Sequence, residues 1–255
     1  MWLKLLNLRY ASKVPKVINL CNMHLNLDEG IQREMYLGTY ESIQSSWFKK
    51  YLRCGDVVVD IGASFGWYTT LSESLVGSNG KIFAFEPSPI SNEVIESMIK
   101  DSRLTNITLV KSAVGDSKGN IQLFMPTISY LHSPSILMSE TSYIPLDVDI
   151  IKLDDYEPIK SIKKIRLIKI DVEGYEPNVL KGMMGLIKEG KVEYVMCEFN
   201  SYWLKQNNTT PEELHHTFVQ LGFVVVEKTE LKTDCKDLFG NNHTLQDRLY
   251  RYAGA

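Results

Sequence analysis

The chain has 255 residues, 44% of them hydrophobic, enough to bury the core of one main domain. Its formal charge of -3 gives no nucleic-acid footprint, and the basic runs Lys49-Lys50 and Lys160 to Arg166 read as solvated faces. Four widely separated cysteines exclude a zinc knuckle or redox pair and fit a reducing, cytoplasmic compartment.

At the N-terminus, apolar residues alternate with Lys4, Arg9, Lys13 and Lys16, which supplies neither a signal-peptide core nor a membrane-spanning run. An amphipathic membrane contact is the alternative use of this segment. Residues 1–50 are expected to form a helical flank or lid, with a helix over 37–51 that places Ile43, Trp47 and Tyr51 on one side. The main domain is expected over 51–255. Within it, apolar strands at 56–61, 81–85, 107–113, 165–170, 192–198, 223–228 and 246–252 alternate with helices and fit one sheet.

Residues 119–156 break that alternation. They read as a hairpin around 120–125 followed by an irregular insertion holding Pro126, Pro134 and Pro145, a segment able to cover a pocket. Further on, Pro177 opens a helix whose Leu180, Met183 and Ile187 recur on one face before Gly190. Thr210-Pro211-Glu212-Glu213 combines an N-cap, a proline at the first helical position and a capping-box glutamate. Leu214, Phe218 and Leu221 then form an apolar stripe that ends at Gly222.

The stretch from Val57 to Gly66 is a strand turning through Gly62 and Gly66, which permit a tight turn and expose amides at the next helix terminus. Ala63 and Ser64 intervene, so this is not the three-glycine dinucleotide fingerprint, and pyrophosphate binding is disfavoured. Glu86 ends the second strand, where a carboxylate can accept both ribose hydroxyl hydrogens, and Pro87 stops the strand behind it. The pattern describes a nucleoside-cofactor site.

Together, Asp60-Ile61-Gly62-Ala63, Glu86-Pro87 and the run from Ile170 to Glu176 resemble the FkbM family of S-adenosylmethionine-dependent methyltransferases, over about residues 38–199. The resemblance implies an α/β fold: a seven-stranded, mostly parallel, Rossmann-like sheet flanked by helices, with an antiparallel final strand. It implies S-adenosylmethionine as cofactor, S-adenosylhomocysteine as product, and methylation of a hydroxyl on a sugar, glycan or related small molecule. Asp60, Gly62, Ala63 and Gly66 match the family's first block, while Ser64 stands where the family usually has Asn. The family's Tyr-Glu pair corresponds to Tyr40-Glu41, which brings Glu41 to the cofactor pocket, and Ser112-Ala113 resembles the segment beside the adenine.

Lys169 and Asp171 share one side of a strand, and Glu173 starts the next turn, so charge is crowded at the sheet's carboxyl edge. Asp171 is expected to orient an acceptor hydroxyl or take its proton, with Glu173 and Glu198 beside it as further catalytic candidates. Asp171 could instead hold a water, bind a metal or fix Lys169. His132 is a further candidate base, and His215 and His216 read as structural. Tyr130, Tyr143 and Tyr156 in the insertion are candidate acceptor contacts, and Phe65, Trp67 and Tyr68 are candidate pocket or packing aromatics. Three carboxylates are not a metal-specific pattern, and no metal site is expected. Two other readings compete: a nucleotide-dependent oxidoreductase, and a non-catalytic cofactor-binding interaction protein.

Overall fold

A computed structural model describes residues 13–126, 135–137, 143–236 and 242–254. Its strands are β1 (Lys13–Ile18), β2 (Cys21–Asn26), β3 (Val57–Ile61), β4 (Lys81–Phe85), β5 (Ile107–Val110), β6 (Ala113–Val114) and β7 (Gly119–Pro126). They continue as β8 (Tyr143–Ile151), β9 (Ile165–Ile170), β10 (Val192–Asn200), β11 (Phe223–Lys228), β12 (Lys232–Lys236) and β13 (Asn242–Tyr252). The main sheet runs β11-β13-β10-β9-β3-β4-β5, with β12 paired to β13 as an eighth strand. Pairing from β10 through β9, β3 and β4 to β5 is parallel, whereas β13 is antiparallel to β10, β11 and β12.

The parallel strands are almost wholly apolar because both faces are covered. Their period of two divides the interior into two cores. On one face, Val59, Ile61, Phe83, Phe85, Ile168 and Ile170 pack with Leu180, Leu186, Leu214 and Phe218 from the later helices. On the other, Val58, Ile82, Ala84 and Leu167 pack with Phe48, Leu71, Ile95 and Met98 from the earlier ones. The capping box at Thr210 forms as expected and starts the Pro211–Gln220 helix.

Several elements differ from the expected pattern. The flank before residue 51 is not wholly helical: β1 and β2 form a hairpin ahead of helices Gly30–Leu37 and Ser42–Tyr51. Asn19 and Leu20, both at positive φ, make its two-residue turn. Cys21, Met23 and Leu25 alternate inward against the Pro89–Asp101 helix, and Ser102 accepts the Asn22 amide at 2.7 Å. The third strand of the sheet stops at Val110, and Ala113–Val114 leaves it to join a separate three-stranded sheet, β6-β8-β7. Pro145 sits within β8, opposite Phe124 of β7, rather than in irregular chain. The helix after Pro177 is interrupted at Met183 because Asp154 accepts the Gly185 and Leu186 amides and starts a second helix there. Among the described residues, no helix is long and apolar enough to cross a membrane.

Candidate functional site

The carboxyl ends of β3, β4, β9 and β10 meet the flank helices and the β7–β8 sheet around a cavity of about 290 Å³. This is the edge where open α/β sheets bind ligands. Its geometry begins at Gly62, whose φ of 78° lets the chain turn directly after β3. A Cβ at Gly62 would stand 1.9 Å from the Asp171 carbonyl oxygen, so the glycine permits the β3 and β9 loops to touch. Its close partner is therefore the protein's own second loop.

Ser64 also has positive φ, at 50°, and this turns its amide onto Glu86. The Glu86 carboxylate accepts from Ser64 N at 2.7 Å and from Ser88 N at 2.8 Å. Burial, only partly opposed by these two amides, pushes the Glu86 carboxyl up to about 7. A carboxylate offers about four lone-pair sites, so two remain for a vicinal diol at the cavity wall. The donor set and its rigidity fit a ribose, with Ser112 and Ala113 at the neighbouring edge where the adenine is expected.

Lys169 is the electrostatic centre of the opposite wall. Its ammonium donates to the Gly62 carbonyl at 3.0 Å, lies 3.2 Å from Asp171 and 3.9 Å from Asp60, and sits over the Tyr68 ring. Burial disfavours this charge, but Asp171, Asp60 and Glu41 outweigh it and raise the lysine's pKa. Asp60 is fully buried and does not line the cavity; it accepts from the Thr69 hydroxyl and ties β3 to the next helix. Gly66 likewise stands outside the lining and caps that helix with φ of 85°.

The acidic side gathers three elements. Glu41, at φ of 41°, accepts from the Tyr68 hydroxyl, and burial followed by repulsion from Asp171 raises its pKa. Glu173, at φ of 52°, enters from the turn after β9, and Glu198 enters from β10. Burial, then Asp171, Glu173 and Asp247, push Glu198 well above the usual carboxylate range. Three non-glycine residues held in left-handed backbone, Glu41, Ser64 and Glu173, thus line one cavity, where such strain commonly accompanies function.

The structure brings together Glu41, Gly62, Ala63, Ser64, Glu86, Pro87, Ser112, Ala113, Asp171, Glu173 and Glu198 around this cavity. Phe65, Trp67 and Tyr68 line it too, and Leu123 and Ile136 bring the insertion to its mouth. Tyr156 does not reach it, packing edge-on against Phe85 instead. His215 bonds the Tyr250 hydroxyl at 2.8 Å, remote from the cavity lining. Tyr130 and His132 lie outside the described residues. Among those described, no three His, Cys, Asp or Glu side chains are grouped to hold a metal ion.

Two supporting acids escape sequence reasoning. Glu176 is buried and accepts the Val172 and Gly174 amides, each at 3.1 Å, fixing the turn that carries Asp171 and Glu173. Asp247 lies across the strand pair from Glu198 and accepts from Gln44 at 2.7 Å. Glu176 could have been found, because a carboxylate three residues beyond Glu173 in a glycine turn is placed to cap it. Asp247 gives no such signal, since its partner is fixed by strand register.

The model for the Methyltransferase FkbM domain matches residues 60–225, which contain both loops of this cavity. The chain belongs to the FkbM methyltransferase family. It is 26% identical over 148 residues to the hexuronic acid methyltransferase AglP of Haloferax volcanii, covering 57% of this chain and 56% of that one. It is 25% identical over 146 residues to Methyltransferase 1 of Beauveria bassiana, covering 49% of this chain and 57% of that one. The chain thus spans somewhat over half the length of the curated relatives it matches. A solved Clostridium thermocellum protein assigned as an rRNA-methylase superposes with a TM-score of 0.52 at 13% identity, over 83% of this chain and 94% of that one. That likeness concerns the fold: a mixed α/β sheet flanked by helices.

Proposed function

We propose that this FkbM-family chain is an S-adenosylmethionine-dependent O-methyltransferase acting on a hydroxyl of a sugar, glycan or related small molecule. The observation that carries the reading is the meeting, in one cavity, of the buried Glu86 on its Ser64 and Ser88 amides with the Asp171 turn. Family membership and the hexuronic acid methyltransferase relative support it.

S-Adenosylmethionine supplies a sulfonium-activated methyl group when bound. Glu86 holds the ribose diol, and the backbone from Gly62 to Ser64 shapes the floor beneath it. Asp171 orients the acceptor hydroxyl and receives its proton, while Lys169, 3.2 Å away, holds the aspartate in place. Glu198 and Glu173 bound the acceptor side. Phe65, Trp67 and Tyr68 exclude water that would compete for the methyl group. The catalytic domain spans 51–255, and the segment before it closes the pocket through Glu41. The strand path β5-β4-β3-β9-β10-β13-β11 supports a seven-stranded methyltransferase sheet to which β12 is an addition. Four free cysteines support a reducing, cytoplasmic setting.

The test is transfer of an isotopically labelled methyl group to a panel of glycosides and small alcohols, with mass spectrometry assigning the modified atom. A labelled methyl ether is expected. Labelling only on nitrogen or carbon contradicts the oxygen assignment, and binding of a nicotinamide cofactor in place of S-adenosylmethionine contradicts the reading as a whole.

A further inference from the structure

The turn that carries Asp171 is also held by side chains that do not line the cavity. The Gly174 carbonyl accepts from the Asn207 side-chain amide at 2.9 Å. The second hydrogen of that amide goes to Asn178 Oδ1, also at 2.9 Å, and Asn178 in turn donates to Asp116 at 3.2 Å. Both donors of Asn207 are thus in use, and the series of bonds ends on a carboxyl group. None of these three side chains belongs to the cavity lining.

Each sits on an element whose own place is fixed. Asn207 closes the Ser201–Gln206 helix, its backbone amide donating to the Leu204 carbonyl at 3.0 Å. Asn178 stands in the first turn of the Glu176–Gly182 helix, where its backbone amide reaches the Tyr175 carbonyl at 3.0 Å. Asp116 follows β6, whose Ala113 lines the cavity where the adenine is expected. Gly174 makes the contact close: it has φ of 91°, and a Cβ there would stand 2.4 Å from the Trp203 carbonyl oxygen. The helix end therefore presses on the turn with no side chain between them. Trp203 packs in turn against Phe124 of β7, next to the cavity-lining Leu123.

Glu176 closes the turn locally, through the Val172 and Gly174 amides, and such bonds fix its shape but not its place among the other loops. Asn207 lies 33 residues beyond Gly174, and Asp116 lies 62 residues before Asn178, so their bonds join separate elements. We infer that Asn207, with Asn178 and Asp116, is a positioning residue for methyl transfer: it sets where the Asp171 turn stands relative to the cofactor and touches neither reactant. This rests on the function proposed above, in which Asp171 receives the acceptor proton. A misplacement of about 1 Å at such a site can cost about 10²-fold in rate.

Asn207→Asp nearly preserves the side chain's shape but replaces both donors by a carboxylate that repels the Gly174 and Asn178 oxygens. Asn178→Ala cuts the same series at its next link and decides the matter if Asn207→Asp fails to fold by circular dichroism. Calorimetry measures S-adenosylmethionine affinity, and single-turnover transfer of a labelled methyl group is followed with methyl glucoside, methyl glucuronide and methyl glucosaminide. Cofactor affinity is expected to stay within about threefold while the chemical step slows by about tenfold to a hundredfold. In the Asp171→Asn background, Asn207→Asp should slow the step no further, because residues that act as one unit are not additive. An acceptor-independent measurement is amide hydrogen exchange in protein loaded with S-adenosylhomocysteine, where the variants should exchange about tenfold faster over residues 171–175 and unchanged over 62–66.

An unaltered chemical rate in either folded variant, losses that add in the double variant, or unchanged exchange over 171–175 overturns the inference and leaves the methyltransferase reading standing. Non-additive losses with the methyl group on nitrogen or carbon do the reverse: they support the positioning role and remove the oxygen assignment.

Discussion

The α-carbon of Gly62 and the carbonyl of Asp171 are in such close approach that a Cβ at position 62 would stand 1.9 Å from the Asp171 oxygen. The cofactor loop and the acceptor loop are therefore one packed unit, and a change on either displaces the other. Gly62→Ala is expected to destabilise the fold by about 1 to 2 kcal/mol from the left-handed backbone alone, with the overlap at the Asp171 carbonyl adding to it. Chemical denaturation measures the loss, and calorimetry should show weakened S-adenosylmethionine binding in whatever fraction folds. A variant of unchanged stability would contradict the contact.

Ser64 offers the opposite experiment. It holds φ of 50° without the side-chain chemistry that suits that region. Asn tolerates left-handed backbone better than Ser, so Ser64→Asn should raise stability by roughly 0.5 kcal/mol and preserve the amide donated to Glu86. The midpoint of denaturation checks the first expectation. Calorimetry of cofactor binding checks the second.

The Glu176 carboxylate holds the acceptor turn through the Val172 and Gly174 amides. Glu176→Ala leaves both donors without an acceptor and is expected to cost about 2 to 4 kcal/mol. Glu176→Gln retains one acceptor oxygen and should lose less. Equal stability of all three proteins would show that the turn is held by other contacts.

Much of this site was legible in the sequence because its parts are local. Gly62, Glu86 and the Asp171–Glu176 turn sit at strand ends, where apolar runs stop and glycine or proline follows, so both the strand and its exit can be read from adjacent residues. The Thr210 cap was legible for the same reason. The hairpin at β1–β2 gives little signal in the sequence, because its inward Cys21, Met23 and Leu25 are few and short alternation is all that marks the strand. Pro145 belongs to a proline-bearing stretch that the sequence predicts to be irregular, yet it lies in β8, paired with Phe124 of β7. Asp247 and Gln44 meet across 203 residues, a relation that only the sheet order and flank packing establish.

The buried acids set a pH dependence whose sign is opposite to that of a salt-bridged carboxylate. Glu86 has an ordinary value near 4.5 when unfolded and is pushed to about 7 when folded. Between those values the folded state holds the extra proton, so stability without cofactor falls as pH rises from about 4.5 to about 7. Ribose hydroxyls donate to the ionised form, so cofactor binding should release protons near pH 7. Calorimetry in buffers of different ionisation enthalpy measures the release, and Glu86→Gln should diminish it. Proton uptake on binding would contradict the assignment.

Asp171→Asn removes the negative charge while nearly preserving shape beside Lys169. Cofactor affinity should persist while the chemical step slows by about 10² to 10⁴. Single-turnover rates at saturating cofactor and acceptor separate the two. A chemical rate equal to that of the unaltered protein would eliminate a base role for Asp171, and strong, reversible Mg²⁺ dependence would recast it as a metal ligand.

The most direct measurement of the central claim is calorimetric titration of S-adenosylmethionine into the unaltered protein and into Glu86→Ala and Glu86→Gln, with circular dichroism verifying the fold of each. The unaltered protein should bind S-adenosylmethionine and neither form of nicotinamide dinucleotide. Loss of the carboxylate's charge-assisted bonds to the ribose should weaken binding by about tenfold to a hundredfold. Unchanged affinity in folded variants would contradict the cofactor site described for this cavity.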